Sequence, residues 1–469
     1  MAYVPPHRRQ APQEQQPEEV IASISDDDAA IPAQCGPRCA EWILGNARRC
    51  PQHAYLDSPE TVAIAVWFSS RSTVFRRWCK TRRRAETNPE VQNCFRRPPA
   101  SSNDRGAARW DSCQQNVAPL FNRFLRYAAD IDVGVGYVGR AAKAVASKGS
   151  FTFLDMGFAP GGMTALLLDV DDRVRGVGVS LAPEAGGNVF PATLESSGRF
   201  VAIQDDILAV AKNGFRADVV PVGGFDLAIV GITISGSNQS DESEHADLKD
   251  HLHLAQMELA LRHVRPGGMV LMRMHLSIRR LETQMLGVML DRFRGRHAVT
   301  KPLTEFAMRK TYWVLFDGYE PDPASTDTLR NTVVSAEPVE DSTLVPFESI
   351  DAFLEALGPR MLPIVEPVWA QQSDVLDWIM SGKRSRLCGR CRATGKICRA
   401  CTCYVMPAVA RAFLQVSSRL ASTKHPLLMY PDSPGVARGR CRSRRPHPSS
   451  GATWNHRSIG HATLLIAVP

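Results

Sequence analysis

The sequence predicts an α/β fold built on a mostly parallel sheet of seven strands, with helices against its faces. Three observations predict it. From Gly149 onward, short apolar runs alternate with helix-forming stretches, the mark of a parallel sheet wrapped by helices. The first run, FTFLDM (151–156), ends in Gly-Phe-Ala-Pro-Gly-Gly and leads into MTALLL, which reads as strand, tight turn, helix. Small and acidic residues close the later runs, and ligands of such sheets bind beyond the carboxyl ends of the strands.

The elements follow in order. RVRGVGVSL (173–181) is a second strand and RFVAIQ (199–204) a third, with Asp205-Asp206-Ile207 directly after it. GFDLAIVGI (224–232) is a fourth. A long helix over 243–264 leads to Arg265-Pro266-Gly267-Gly268, a turn that opens a fifth strand, MVLMRMHL (269–276). A helix over roughly 278–293 comes next, and RHAVTKP and KTYWVLFDGY form the last two strands.

Outside the sheet, residues 1–30 are rich in Pro, Gln, Glu and Asp and predict a disordered tail. Residues 31–104 read as a helical and linker extension. Ser58-Pro59-Glu60 carries a helix-start signature, and one helix is expected from there through TVAIAVWFSSRSTVFRRWCKTRRR. Its basic end (Arg76, Arg77, Lys80, Arg82, Arg83, Arg84) suits either RNA phosphates or solvent, with solvent the commoner case. SCQQNVAPLFNRFLRYAADID is helical again and opens the main domain, 105–322. Residues 323–382 form a helical extension of two or three short helices, and 383–469 a basic, cysteine-containing tail.

Composition narrows the function classes. Net charge is +8, yet from Ile379 onward sixteen Lys/Arg face one acid, so the first 378 residues carry −7. The basic excess belongs to the tail and is no argument about the central domain. The N-terminus has no apolar core of a signal peptide, and no stretch reaches the length of a membrane span. A soluble protein of a reducing compartment, nucleus or cytoplasm, is expected.

Gly157, Gly161 and Gly162 allow close backbone approach to a ligand, and a helix N-terminus points its amides at a carboxylate or phosphate. Leu-Asp-x-Gly-x-Ala-Pro-Gly-Gly, with Asp155 at the strand end, closely resembles the first motif of FtsJ-type S-adenosylmethionine-dependent methyltransferases. GVGVSLAPEAGG (176–187), QDDI, FDLAIV, RPGG and KPLTEFAMRKTYWVLF resemble that family's later motifs, particularly those of a fungal branch. The resemblance covers roughly residues 115–320. It implies a class I Rossmann-like methyltransferase sheet, S-adenosylmethionine as cofactor and ribose 2′-O methylation of RNA. Donor-binding candidates are Asp155, Gly157, Ala159, Pro160, Gly161 and Gly162 for the methionine end, Ser180 for the ribose and Asp206 for the adenine amine.

The family's catalytic Lys-Asp-Lys-Glu tetrad is not intact here. Gly231 takes the aspartate slot, Arg273 the second lysine and Lys310 the glutamate; Arg126 or Tyr127 lies nearest the first lysine. Asp226 is present, and its usual role is structural. Arginine cannot serve as a base near neutral pH. His275, two residues beyond Arg273, is a candidate replacement base or simply a strand-end histidine. The catalytic candidates are therefore Arg273, His275 and Lys310. A non-catalytic RNA- or protein-binding relative, or a methyltransferase for another acceptor, is the alternative.

Two cysteine groups remain. Cys388-x2-Cys391-x6-Cys398-x2-Cys401 pairs two CxxC units and suits zinc, although the gap is short for a zinc ribbon. Cys35, Cys39, Cys50 and His53 fit no common metal template, and buried or free thiols are the favoured reading.

Overall fold

The structure is a computed structural model, and it describes residues 59–89, 91, 117–232, 242–276, 278–302, 310–335, 344 and 347–381. The chain divides into two units, Met1–Leu428 and Met429–Pro469, and every described residue belongs to the first. The tail expected over 1–30, the first cysteine group and the paired CxxC units all lie outside the described residues.

Seven strands form one sheet: β1 (Phe151–Met156), β2 (Val174–Ser180), β3 (Phe200–Gln204), β4 (Phe225–Val230), β5 (Val264–His275), β6 (Ala298–Thr300) and β7 (Thr311–Asp317). Their order is β3-β2-β1-β4-β5-β7-β6. The first five pair in parallel, and β7 runs antiparallel between β5 and β6. The expected seven-stranded α/β sheet is present, including its closing pair. β4 (FDLAIV) is buried at every position because it is covered on both faces.

Alternation along the strands builds two cores. Phe151, Phe153, Leu227, Ile229, Leu271, Trp313 and Leu315 face a layer of α3 (Val117–Val135), α4 (Tyr137–Lys148) and α5 (Gly162–Leu168). Leu154, Met156, Ala228, Val230, Val270, Met272 and Val314 face the other layer. That layer holds α1 (Pro59–Arg71), α2 (Thr73–Thr87), α7 (Ile207–Asn213), α8 (Glu242–His263), α9 (Arg280–Arg292) and α11 (Ile350–Met380). A one-turn α6 (Thr193–Ser196) precedes β3, and α10 (Pro323–Ser335) follows β7. Trp369 of α11 meets Phe68, Phe75 and Trp78 at ring-centroid distances of 5.1, 4.7 and 6.0 Å. Arg77, expected at a basic helix end, instead pairs with Asp374 and Asp377 of α11. Helices α1, α2 and α11 thus share one core with the sheet.

Four local details differ from the sequence expectation. The helix from Pro59 breaks at Ser72, whose extended backbone (φ −126°) lets its Oγ accept the Phe75 amide at 3.0 Å and cap a second helix. The helix opening the main domain is followed by another, α4, after a left-handed Gly136 (φ +70°). The Arg265–Gly268 stretch is a bulge inside β5, with the register jumping between Phe225↔Val264 and Leu227↔Met269. Finally, α11 is one 31-residue helix despite Pro359, Pro363 and Pro367. All three prolines are exposed at four-residue spacing, so the carbonyls they deprive of partners lie on the solvent side.

Candidate functional site

The glycine-rich turn joins β1 to α5 at the carboxyl edge of the sheet. Gly157 and Gly161 take φ values of +86° and +101°, and the Ala159–Pro160 peptide is cis. The Gly157 amide donates to the Val179 carbonyl at 2.7 Å and the Gly161 amide to the Phe158 carbonyl at 2.6 Å. Among the described residues the amides of Phe158 and Ala159 donate to no acceptor. Such unspent donors ahead of a helix suit the carboxylate of an amino-acid-like ligand. The glycines are also packing positions. A Cβ on Gly162 would lie 2.4 Å from the Phe124 carbonyl carbon, so α5 and α3 approach at backbone distance. One on Gly161 would lie 2.5 Å from Leu194 Cδ1, and one on Gly157 2.8 Å from Ile232 Cγ1. The Phe158 ring is wedged between Phe190 and Phe200, at 4.8 and 5.1 Å.

Asp155 is buried beneath this turn. Thr164 Oγ1 donates to its carboxylate at 2.7 Å, and the Thr164 amide bonds to it as well. Burial pushes its carboxyl up to about 7, against those two hydrogen bonds. Asp155 thus ties β1 to α5 from below the turn, where the sequence suggested direct contact with the methionine end. Ser180 closes β2 half-buried, and its carbonyl accepts the Asp205 amide at 3.1 Å. Asp206 is exposed; its Oδ1 caps α7 by accepting the Leu208 amide at 3.0 Å. Asp205 is exposed beside it. Exposed carboxylates and a hydroxyl at the ends of β2 and β3 fit a ribose and an amino-purine. Together with the open amides of the turn, they fit S-adenosylmethionine.

The neighbouring half of the edge holds the candidates Gly231, Arg273, His275 and Lys310. Arg273 pairs with Trp313 across β5 and β7, and His275 with Thr311. The Leu276 amide donates to the Lys310 carbonyl at 2.6 Å, which brings Lys310 beside the end of β5. The space next to Gly231 is occupied: a Cβ there would lie 3.2 Å from Trp313 Cη2. The Trp313 indole donates to the Tyr127 hydroxyl at 2.7 Å, and both side chains are buried. His275 lines a small cavity with Phe68, Glu282, Tyr312 and Trp369, and its buried Nδ1 has no hydrogen-bond partner among the described residues. Burial, then Lys249, Lys310, Arg279 and Arg273, hold His275 well below its usual pKa, so it is neutral and a weak base. Asp226 accepts the Thr152 amide at 2.8 Å and pairs with Arg265 at 2.6 Å, a purely structural tie at the opposite edge.

Residues that sequence reasoning passed over complete this half. Arg279 bonds both oxygens of Asp250, at 2.8 and 3.0 Å, and Glu282 at 2.9 Å, clamping α8 to α9. Lys249 and His253 sit one helical turn apart on α8. Burial lowers the Lys249 ammonium, and burial with Lys249 and Arg273 takes His253 down to about 3. Gln256 Oε1 accepts the Ile232 amide at 2.7 Å and fixes the chain just past Gly231. The signal for them was the polar run in a helix that begins at the carboxyl edge.

Residues 140–317 match the family described as FtsJ-like methyltransferase. This stretch is an FtsJ-like methyltransferase domain. It carries the glycine-rich turn, the ends of β2 and β3, and Gly231, Arg273, His275 and Lys310. No curated protein matches the chain. Similar solved structures include a probable spermidine synthase from Corynebacterium glutamicum (15% identity, 50% of this chain and 77% of that one, TM-score 0.28). The N-methyltransferase NodS from Bradyrhizobium japonicum is another (14% identity, 39% and 96%, TM-score 0.26). A third is the fibrillarin pre-rRNA processing protein of Methanococcus jannaschii (12% identity, 37% and 68%, TM-score 0.25). Among the described residues no group of three or more His, Cys, Asp or Glu is set to hold a metal ion. Nor is any described helix long and apolar enough to cross a membrane.

Proposed function

We propose that the FtsJ-like domain binds S-adenosylmethionine and engages RNA at the adjoining edge, without the tetrad chemistry of ribose 2′-O methylation. The observation that carries this reading is Trp313 against Gly231: the aspartate slot holds an indole, bonded to Tyr127. Two of the other tetrad positions, Arg273 and Lys310, are both cations. Positions 231 and 310 carry no carboxylate, and position 273 carries no lysine. When bound, the donor supplies an electrophilic methyl group. The turn at 157–162, Ser180 and Asp206 are the residues that would hold it, and Asp155 would position the turn from below.

A second reading, turnover on RNA ribose with a substituted base, is favoured by Lys249. Its ammonium is lowered by burial, and it shares the electrostatic neighbourhood of Arg273 and His275. One experiment separates the two. Calorimetry on the full-length protein should give S-adenosylhomocysteine binding that weakens about tenfold on Asp206→Ala, the loss of one charged hydrogen bond. Incubation with methyl-labelled donor and RNA should give no 2′-O-methylated nucleoside above the enzyme-free blank. Methylation that disappears in Lys249→Gln would replace the first reading with the second. Failure to bind donor in a folded protein would sink both.

A further inference from the structure

Gln256 is a polar residue in an apolar stretch of α8. It lies among Ala255, Met257, Leu259 and Ala260, and it is as fully buried as they are. An apolar side chain of similar size would fill that space without the cost of burying an amide. Among the described residues its amide is spent on backbone. Nε2 donates to the Leu252 carbonyl one turn back, at 2.8 Å, and Oε1 accepts the Ile232 amide at 2.7 Å. Nε2 also lies 3.5 Å from the Ile232 carbonyl.

The Ile232 amide calls for such a partner because the sheet ladder has run out. β4 pairs with β1 as far as Met156↔Val230 and with β5 as far as Val230↔Met272. The Gly231 amide still reaches the Met156 carbonyl, at 3.2 Å. Ile232 stands one step further on, and Gln256 supplies its acceptor. What Gln256 holds there is a wall of the glycine-rich turn. A Cβ on Gly157 would lie 2.8 Å from Ile232 Cγ1 and 3.1 Å from its Cα and amide nitrogen, so Ile232 is seated against the first residue of that turn. Ile232 is only half-buried, which leaves surface for a ligand to cover. Lys249, His253 and Gln256 share one face of α8, so the helix that bears the two titratable groups also reaches the donor side.

We propose that Gln256 is a positioning residue for the donor site: it seats Ile232 against Gly157 before the donor arrives. A wall held in place in advance spares the ordering cost that binding otherwise carries. Gln256 touches no ligand in this role; it acts through Ile232. The inference rests on the S-adenosylmethionine reading proposed above.

The test uses the full-length protein, with calorimetric titration of S-adenosylhomocysteine and urea unfolding of each variant. Gln256→Met nearly keeps the volume and removes the hydrogen bonds, and donor affinity should fall about tenfold. Ser373→Ala deletes a buried hydrogen bond within α11 and should leave affinity within about twofold of wild type, whatever it does to stability. Gln256→Glu gives the readout that plain destabilisation would not move. Burial raises the substituted carboxyl, so at about pH 6 it is protonated, accepts the Ile232 amide and donates to the Leu252 carbonyl as the glutamine does. Its affinity there should lie within about twofold of wild type. At about pH 9 the ionised carboxylate repels the Leu252 carbonyl, and the ratio to wild type should open to about tenfold. Gln256→Met that binds as wild type does, or a Gln256→Glu ratio that stays constant with pH, overturns the role and leaves the donor reading standing. If Gln256→Met does not fold, the pH ratio decides alone. Wild-type protein that binds no S-adenosylhomocysteine sinks the donor reading itself, and this inference with it.

Discussion

The two halves of the sheet's carboxyl edge are held by different constraints. At the ends of β1, β2 and β3, the FtsJ-like spelling persists and backbone geometry requires it: Gly157 and Gly161 hold positive φ, and Gly162 lies against the backbone of α3. At the ends of β5 and β7, Arg273 and His275 pair with Trp313 and Thr311 in regular antiparallel register, and Gly231 lies just past β4. The difference shows which features a fold can lose cheaply. A glycine whose Cβ would strike a backbone cannot be exchanged without moving a helix. A catalytic carboxylate on a strand end can be exchanged, because only the reaction depends on it.

The largest expected effect tests the donor half. Gly162→Ala places a Cβ 2.4 Å from the Phe124 carbonyl carbon, where no rotamer change can relieve the contact. α3 must withdraw from α5, at an expected cost of about 3 kcal/mol. Urea unfolding should show a lower midpoint at constant m. A midpoint near wild type would mean that the glycine persists for the ligand alone, and the contrast between the halves would fail.

The middle effect tests the acceptor half by placing an aspartate at position 231. Gly231→Asp brings its Cβ within about 3 Å of the Trp313 ring and sets a carboxylate against the indole. Trp313→Ala leaves a void of its own. In a double-mutant cycle, the pair should lose less than the sum of the singles by about 2 kcal/mol, since each change makes room for the other. Strict additivity would show that Trp313 does not fill the aspartate slot.

Legibility followed the same divide. The seven strands, their order of use and the glycine-rich turn were readable because alternation, glycine and proline act locally. Ser72 was not readable as a break, since a serine inside a basic amphipathic run looks like any exposed polar residue until it caps Phe75. α11 read as short helices because proline penalties are local, whereas the packing of Trp369, Val365 and Leu354 that holds one long helix is tertiary. The Trp313–Tyr127 bond spans 186 residues, and no spacing rule points to it. The same holds for the cluster of Lys249, Asp250 and His253, which becomes visible only when α8 is laid beside the end of β5.

The smallest effect compares the halves through two buried ionisable groups of opposite sign. On the donor side, Asp155 is pushed up to about 7 by burial. Between the ordinary carboxylate value and 7, the folded state holds a proton that the unfolded state has released, so stability falls as pH rises through that window. On the acceptor side, Lys301 is buried just after β6, donating to the Thr311 carbonyl at 3.2 Å, and burial lowers it to about 7. Between 7 and the ordinary lysine value, the unfolded chain holds the extra proton, so stability rises with pH. Each slope is expected at up to about 1 kcal/mol per pH unit. Asp155→Asn should flatten the acid-side fall and leave the alkaline rise, and Lys301→Met should do the reverse. Thermal melts of the two variants across pH 4–10 read both slopes. If Asp155→Asn left the acid side unchanged, the carboxylate would be charged at neutral pH. It would then be available to the donor's ammonium, as the sequence alone suggested.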